Sequence, residues 1–60
     1  MTNYRVELMF SDRIMNTAIY VEAMNESEAE KEAVRWAIDI MQMEPKGVET
    51  LDLDMRARYG

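Results

Sequence analysis

Val21 to Met43 reads VEAMNESEAEKEAVRWAIDIMQM, and the change of hydrophobic period within this stretch decides the fold. Its first residues continue an alternation that begins upstream. Its later residues bring apolar side chains round every three or four positions. Period two marks a strand with one buried face, and a period near 3.6 marks a helix with an apolar stripe. Asn25 stands at the changeover, where its side chain can cap the first helical turn. Glu28, three residues on, is placed to reach back and complete a capping box, and Ser27 with Glu30 repeats that pairing two residues later. Glu26, Glu28 and Glu30 also lie where the helix dipole is positive. The helix is therefore expected over about 26–43. Glu44-Pro45-Lys46-Gly47 ends it, because Pro disfavours helical geometry in the residue before it and Gly eases the turn.

Working outward, Tyr4, Val6, Leu8 and Phe10 alternate with Arg5, Glu7 and Met9. This predicts a half-buried strand over about 4–10. Ser11-Asp12-Arg13 is short and polar, as a turn should be. Ile14 to Ala23 alternates again, which predicts a second strand over about 14–23. Thr17, Ile19, Val21 and Ala23 would face the core, with Asn16, Ala18, Tyr20 and Glu22 outside. The two strands are close enough in sequence to form an antiparallel hairpin. Downstream, ETLDLDMRARY (Glu49–Tyr59) predicts a third strand over about 50–58. Leu51, Leu53, Met55, Ala57 and Tyr59 fall on one side of it, and Asp52, Asp54, Arg56 and Arg58 on a wet one. A right-handed crossover places the third strand parallel to the second. The expected fold is a single α+β domain over 1–60, a two-layer ββαβ with the first strand central and one helix on one sheet face. The alternative sets the third strand directly beside the second.

Sixty residues are near the lower limit for a self-sufficient core. The chain has no Cys, so no disulfide braces it, and no His, which removes the commonest general base and metal ligand. Stability must come from apolar packing, local propensity or association. The net charge of −5 opposes nonspecific attraction to nucleic acid and to anionic lipid, and suits partners with basic surfaces. No apolar run is long enough for a membrane span, and the N-terminus lacks the pattern of a signal peptide. The expectation is a complete small cytoplasmic product with no cofactor and no bound metal.

On a helical wheel Glu28, Lys31, Glu32, Arg35, Asp39 and Gln42 share one arc, and Ala29, Ala33, Trp36, Ala37 and Ile40 share the opposite one. Mixed signs at helical spacing are the ordinary pattern of a solvated face, and they dilute any field that would imitate a nucleic-acid backbone. The apolar side is wider than one sheet requires. Val34, Ile38 and Met41 extend it on one flank and Met43 on the other. Met9, Ala18 and Tyr20 give the outer sheet face a similar surplus. The seven methionines suit either gap-filling in a small core or an adaptable surface. Trp36 is placed to anchor the core. The second strand carries no Pro or Lys to guard its edge, which invites pairing with another chain and leaves a homodimer open.

Enzymatic chemistry finds little here: there is no Gly-rich phosphate loop and no nucleophile elbow. Asp52 and Asp54 form a carboxylate pair that would need further ligands to hold Mg²⁺. Tyr20 alone makes a poor base-stacking platform. Binding to another protein remains as the principal expectation. The stretch YVEAMNESEAEKEAVRWA (Tyr20–Ala37) resembles a kind of small open reading frame common in phages and other mobile elements. In these a hairpin ends in VEA-like residues, a polar cap and EAE..A open one helix, and a last strand closes the sheet. The resemblance implies an accessory or anti-defence protein, such as a viral antitoxin or CRISPR inhibitor, that binds and blocks a host factor in the host cytoplasm. No functional residue carries over, because the shared pattern is capping chemistry. The expected partner is a host protein with a basic or groove-like surface, with no direct nucleic-acid or membrane binding. The candidate contact residues are Val34, Ile38 and Met41 on the helix flank, Met9 and Tyr20 on the sheet, and the acids Glu28, Glu32 and Asp39.

Overall fold

The computed structural model of the protein describes residues 1–11 and 15–55. Its elements run β1 (Thr2–Met9), β2 (Thr17–Ala23), α1 (Glu26–Trp36), a π-helical turn (Ala37–Met41) and β3 (Gly47–Asp52). The strands form one sheet in the order β2-β1-β3, with β1 central and antiparallel to both neighbours. The fold is an α+β ββαβ, with the helix packed on one face of a three-stranded sheet.

The alternation in β1 places the core. Tyr4, Val6 and Leu8, with Phe10 just past the strand, are buried, while Arg5, Glu7 and Met9 turn to the other face. Val21, Ile19 and Thr17 pair with Tyr4, Val6 and Leu8, so β2 continues the same inner face. Ala23 is buried, and Ile19 and Val21 pack against the core. Ala29, Ala33 and Ala37 close the layer from the helix, all fully buried. Their small side chains bring the helix backbone close to the sheet. Val6 and Leu8 are the large side chains completely removed from water among the described residues. Each contributes about 1.5–3 kcal/mol relative to an exposed position.

The helix starts as its capping chemistry requires. Asn25 is extended (φ −156°), its side-chain oxygen accepts the Glu28 amide at 2.9 Å, and its carbonyl accepts the Ala29 amide at 3.1 Å. Among the described residues the reciprocal bond, in which the Asn25 amide would donate to the Glu28 carboxylate, is not formed. The helix is shorter than the expected 26–43. It widens into a π turn after Trp36 and stops at Gln42, whose backbone is left-handed (φ 57°). The Gln42 and Met43 amides both donate to the Ala37 carbonyl. A wider turn advances each residue through a smaller angle. Met41 therefore comes round onto the core side below Ala37, and Ile40, expected inside, is carried out to 67% exposure. Trp36 is partly buried against the core, where it was expected.

β3 departs most from the sequence reading. It begins at Gly47 and ends at Asp52, not over 50–58. The Lys46 amide donates to the Met9 carbonyl at 2.7 Å, which starts the pairing with β1 early. This register puts Val48 and Thr50 opposite Leu8 and Val6 on the inner face. Leu51, expected among the core-facing residues, instead pairs with Arg5 on the helix-free face. After Asp52 the backbone turns helical through Leu53–Met55, and the Asp52 carboxylate accepts the Met55 amide at 2.8 Å. Asp54 then accepts the backbone and side-chain amides of Asn3 at 3.1 and 3.4 Å, taking the place of a further strand residue. β2 begins at Thr17, with Met15 and Asn16 outside the ladder. Ile14, where that strand was expected to begin, and Arg56 to Tyr59 lie outside the described residues.

Candidate functional site

The helix packs more closely on β1 and β2 than on β3. Its Ala stripe is the reason: small residues let it settle over the tall side chains of the central strand, and the inner face of β3 is left partly uncovered. The result is a groove of about 480 Å³ between the helix flank and β3. Val34 and Ile38 form one wall and Val48 the other. Ser27, Glu30, Lys31, Arg35 and Asp39 make a polar rim of both signs. Two contacts hold the rim. The Thr50 hydroxyl donates to the Glu30 carboxylate at 3.3 Å, tying strand to helix. Arg35 Nε stands 3.7 Å from Asp39 Oδ2, an exposed i,i+4 pair worth at most a few tenths of a kcal/mol.

The helix-free sheet face is a second surface. Tyr20, Arg5 and Leu51 form one row across all three strands, and Ala18, Glu7 and Glu49 form the next. Tyr20 is 72% exposed. Glu7 is held from two sides, by Arg5 Nη1 at 3.3 Å and by the Asn16 side-chain amide at 3.0 Å. A shallow depression of about 230 Å³ opens here beside Arg5, Glu49, Thr50 and Leu51. Met9 lies in the row beyond and covers Gly47, where an added Cβ would come within 3.1 Å of the Met9 methyl.

The candidate contact residues thus divide among separate places. Val34, Ile38 and Asp39 come together in the groove. Ile38 is 49% exposed, with one side on the groove and the other in solvent. Met41 does not join them, because the π turn directs it into the core. Glu28 and Glu32 line a depression of about 250 Å³ with Met1, Glu22 and Met24 at the far end of β2. Met9 and Tyr20 occupy the opposite sheet face. The groove also gathers Ser27, Glu30, Lys31, Arg35 and Val48, which were not among the candidate contacts, and Val48 is the apolar one. Its signal was the β-branched residue directly after Gly47, which belonged to the strand and not to the preceding loop.

Asp52 and Asp54 are each engaged by a backbone amide, of Met55 and Asn3 respectively. Among the described residues no three acidic side chains gather in a way that could hold a metal ion. No helix among them is long and apolar enough to cross a membrane. The chain matches no protein-family model, and no curated protein or solved structure matches it.

Proposed function

We propose that the protein is a non-catalytic binding module that docks a partner protein in the groove between α1 and β3 and acts by occupying it stoichiometrically. The observation that carries this reading is the Val34–Ile38–Val48 groove itself, an apolar channel with a charged rim that the fold leaves open beside its own core. Apolar surface framed by polar residues is the ordinary anatomy of a protein interface. The net charge of −5 favours a partner with a basic surface and speeds its encounter. The resemblance to phage accessory proteins extends the proposal to an inhibitor that blocks a host protein, one concerned with defence or with handling nucleic acid.

The test is capture of partners from bacterial lysate by the tagged protein, in parallel with an Ile38→Asp variant whose fold is verified by circular dichroism. One protein retained near one-to-one by the wild type, lost with Ile38→Asp, and reproduced with purified components supports the reading. Capture unaffected by Ile38→Asp removes the groove from it. A second reading, a homo-oligomer, draws on the small core, in which only Val6 and Leu8 are large and fully buried among the described residues. A concentration-dependent dimer in light scattering, with no partner captured, favours that second reading.

A further inference from the structure

Among the described residues the sheet has two free edges, and the one beside the groove has an additional property. Among the described residues β3 pairs with β1 on one side only, and no strand pairs along its other side. It contains no Pro and no Lys, the residues that most often block an edge. There is a depression on each face of this same strand. The groove at Val48 lies on the helix side, and the hollow lined by Glu49, Thr50 and Leu51 extends to the other side, with Arg5 of β1, engaged by Glu7, at its inner end. An added strand sends alternate side chains to opposite faces. Its odd residues would enter one depression and its even residues the other.

We propose that the β3 edge takes up an extended segment of the partner as a fourth strand, with apolar side chains toward α1 and a basic side chain on the opposite face. This rests on the protein-binding reading and specifies the partner's chemistry. The apolar requirement comes from Val34, Ile38 and Val48, which would cover the inward side chains of the segment. The basic requirement comes from the outer face. Glu49 stands directly opposite Glu7, a like-charge cross-strand pair. Arg5 already lies against Glu7 at 3.3 Å. A Lys or Arg on the far side of Glu49 would flank the two adjacent carboxylates with a cation on each side, Arg5 at Glu7 and the partner's at Glu49.

A second copy of the chain is a poorer occupant. A two-fold edge pairing must be antiparallel and must keep the helices of both copies on one side, so only same-face residues can oppose each other. Of the two such registers that overlap most of Gly47–Asp52, one sets Glu49 against the copy's own Glu49. The other sets apolar Val48 against Asp52. Neither supplies a cation at Glu49.

The inference is tested on the isotope-labelled full chain with two end-blocked hexapeptides, one alternating Val and Lys and the other Val and Glu. In NMR titrations the Val/Lys peptide is expected to shift the amides of Gly47–Asp52 and the methyl groups of Val34 and Ile38, to slow exchange of the β3 amides, and to bind at least tenfold more tightly than Val/Glu. Glu49→Lys should reverse that preference. Strand addition at β3 is overturned by equal affinity for the two peptides, by binding of neither, by shifts that map to Thr17–Ala23, or by methyl shifts at Val34 and Ile38 with β3 amides unmoved. A captured partner that depends on Ile38 but ignores Glu49→Lys would leave the protein-binding reading standing and overturn this one.

Discussion

Glu7 and Glu49 face each other directly across the β1–β3 pair, on the side of the sheet that the helix does not cover. Like charges at opposed positions of an antiparallel pair are destabilising, and an opposite-charge pair at the same place is favourable. Arg5 and the Asn16 amide relieve Glu7 in part, through contacts of 3.3 and 3.0 Å. Glu49→Lys is therefore expected to stabilise the isolated protein by about 0.2–1 kcal/mol. Urea unfolding reads this as a higher midpoint at unchanged slope, and the gain should shrink in 1 M salt. A midpoint equal to the wild type in low salt would mean that solvent already screens the pair.

Asn25 holds the start of α1 through its 2.9 Å bond to the Glu28 amide. Asn25→Ala leaves that amide without a protein partner and should cost about 1 kcal/mol, whereas Asn25→Asp should be close to neutral because the carboxylate caps equally well. Chemical denaturation of the two variants side by side separates the cap from any general effect of changing the residue.

The β1 alternation and the Asn25 cap were legible because each rests on a local pattern that no distant contact overrides, although the Glu28 half of the expected capping box does not form. Tyr4, Val6, Leu8 and Phe10 alternate without interruption, and all four are buried. The central position of β1 followed from a hairpin plus one crossover. The end of the helix was less legible. Nothing local in Ala37-Ile38-Asp39-Ile40-Met41 announces a π turn, yet that turn exchanges the roles of Ile40 and Met41. β3 misled for a similar reason. The clean alternation from Leu51 to Tyr59 suggested one long strand, while register is decided by where pairing begins, and the Lys46–Met9 bond begins it before Gly47. In the candidate site, Val34, Ile38 and Asp39 could be read as neighbours from helical spacing. Val48 could not be placed beside them without knowing the register of β3.

Gln42 occupies the left-handed region at φ 57°, ψ 38°, just where the π turn ends. An L-residue there carries a cost of about 1–2 kcal/mol that glycine does not. Glycine returns part of this gain through the larger freedom of its unfolded chain. Gln42→Gly should therefore stabilise by about 0.5–1 kcal/mol, seen as a melting temperature raised by several degrees in a domain this small. Gln42→Val should do the opposite, because a β-branched residue is the least tolerant of this conformation. A fall in melting temperature for Gln42→Gly would show that the Gln42 side chain makes contacts worth more than the strain.

Ala33 is fully buried at the middle of the Ala29–Ala33–Ala37 stripe, whereas its neighbour Val34 is half-buried in the wall of the groove. The adjacent positions should respond in opposite ways to a change of volume. Ala33→Leu adds methyl groups where helix and sheet are already in contact, so the helix must lift or the sheet must shift, at about 1–3 kcal/mol. Val34→Ala removes volume beside open space and leaves no sealed cavity. What it loses in half-buried apolar area is offset by the better helix propensity of Ala, so stability should move by about 0.5 kcal/mol or less. Equilibrium unfolding of both variants measures the contrast, and the groove supplies a second readout. Val34→Ala should weaken capture of the partner while the fold stays intact. A destabilised Val34→Ala with full capture would place Val34 in the core and move the partner's contact away from the groove.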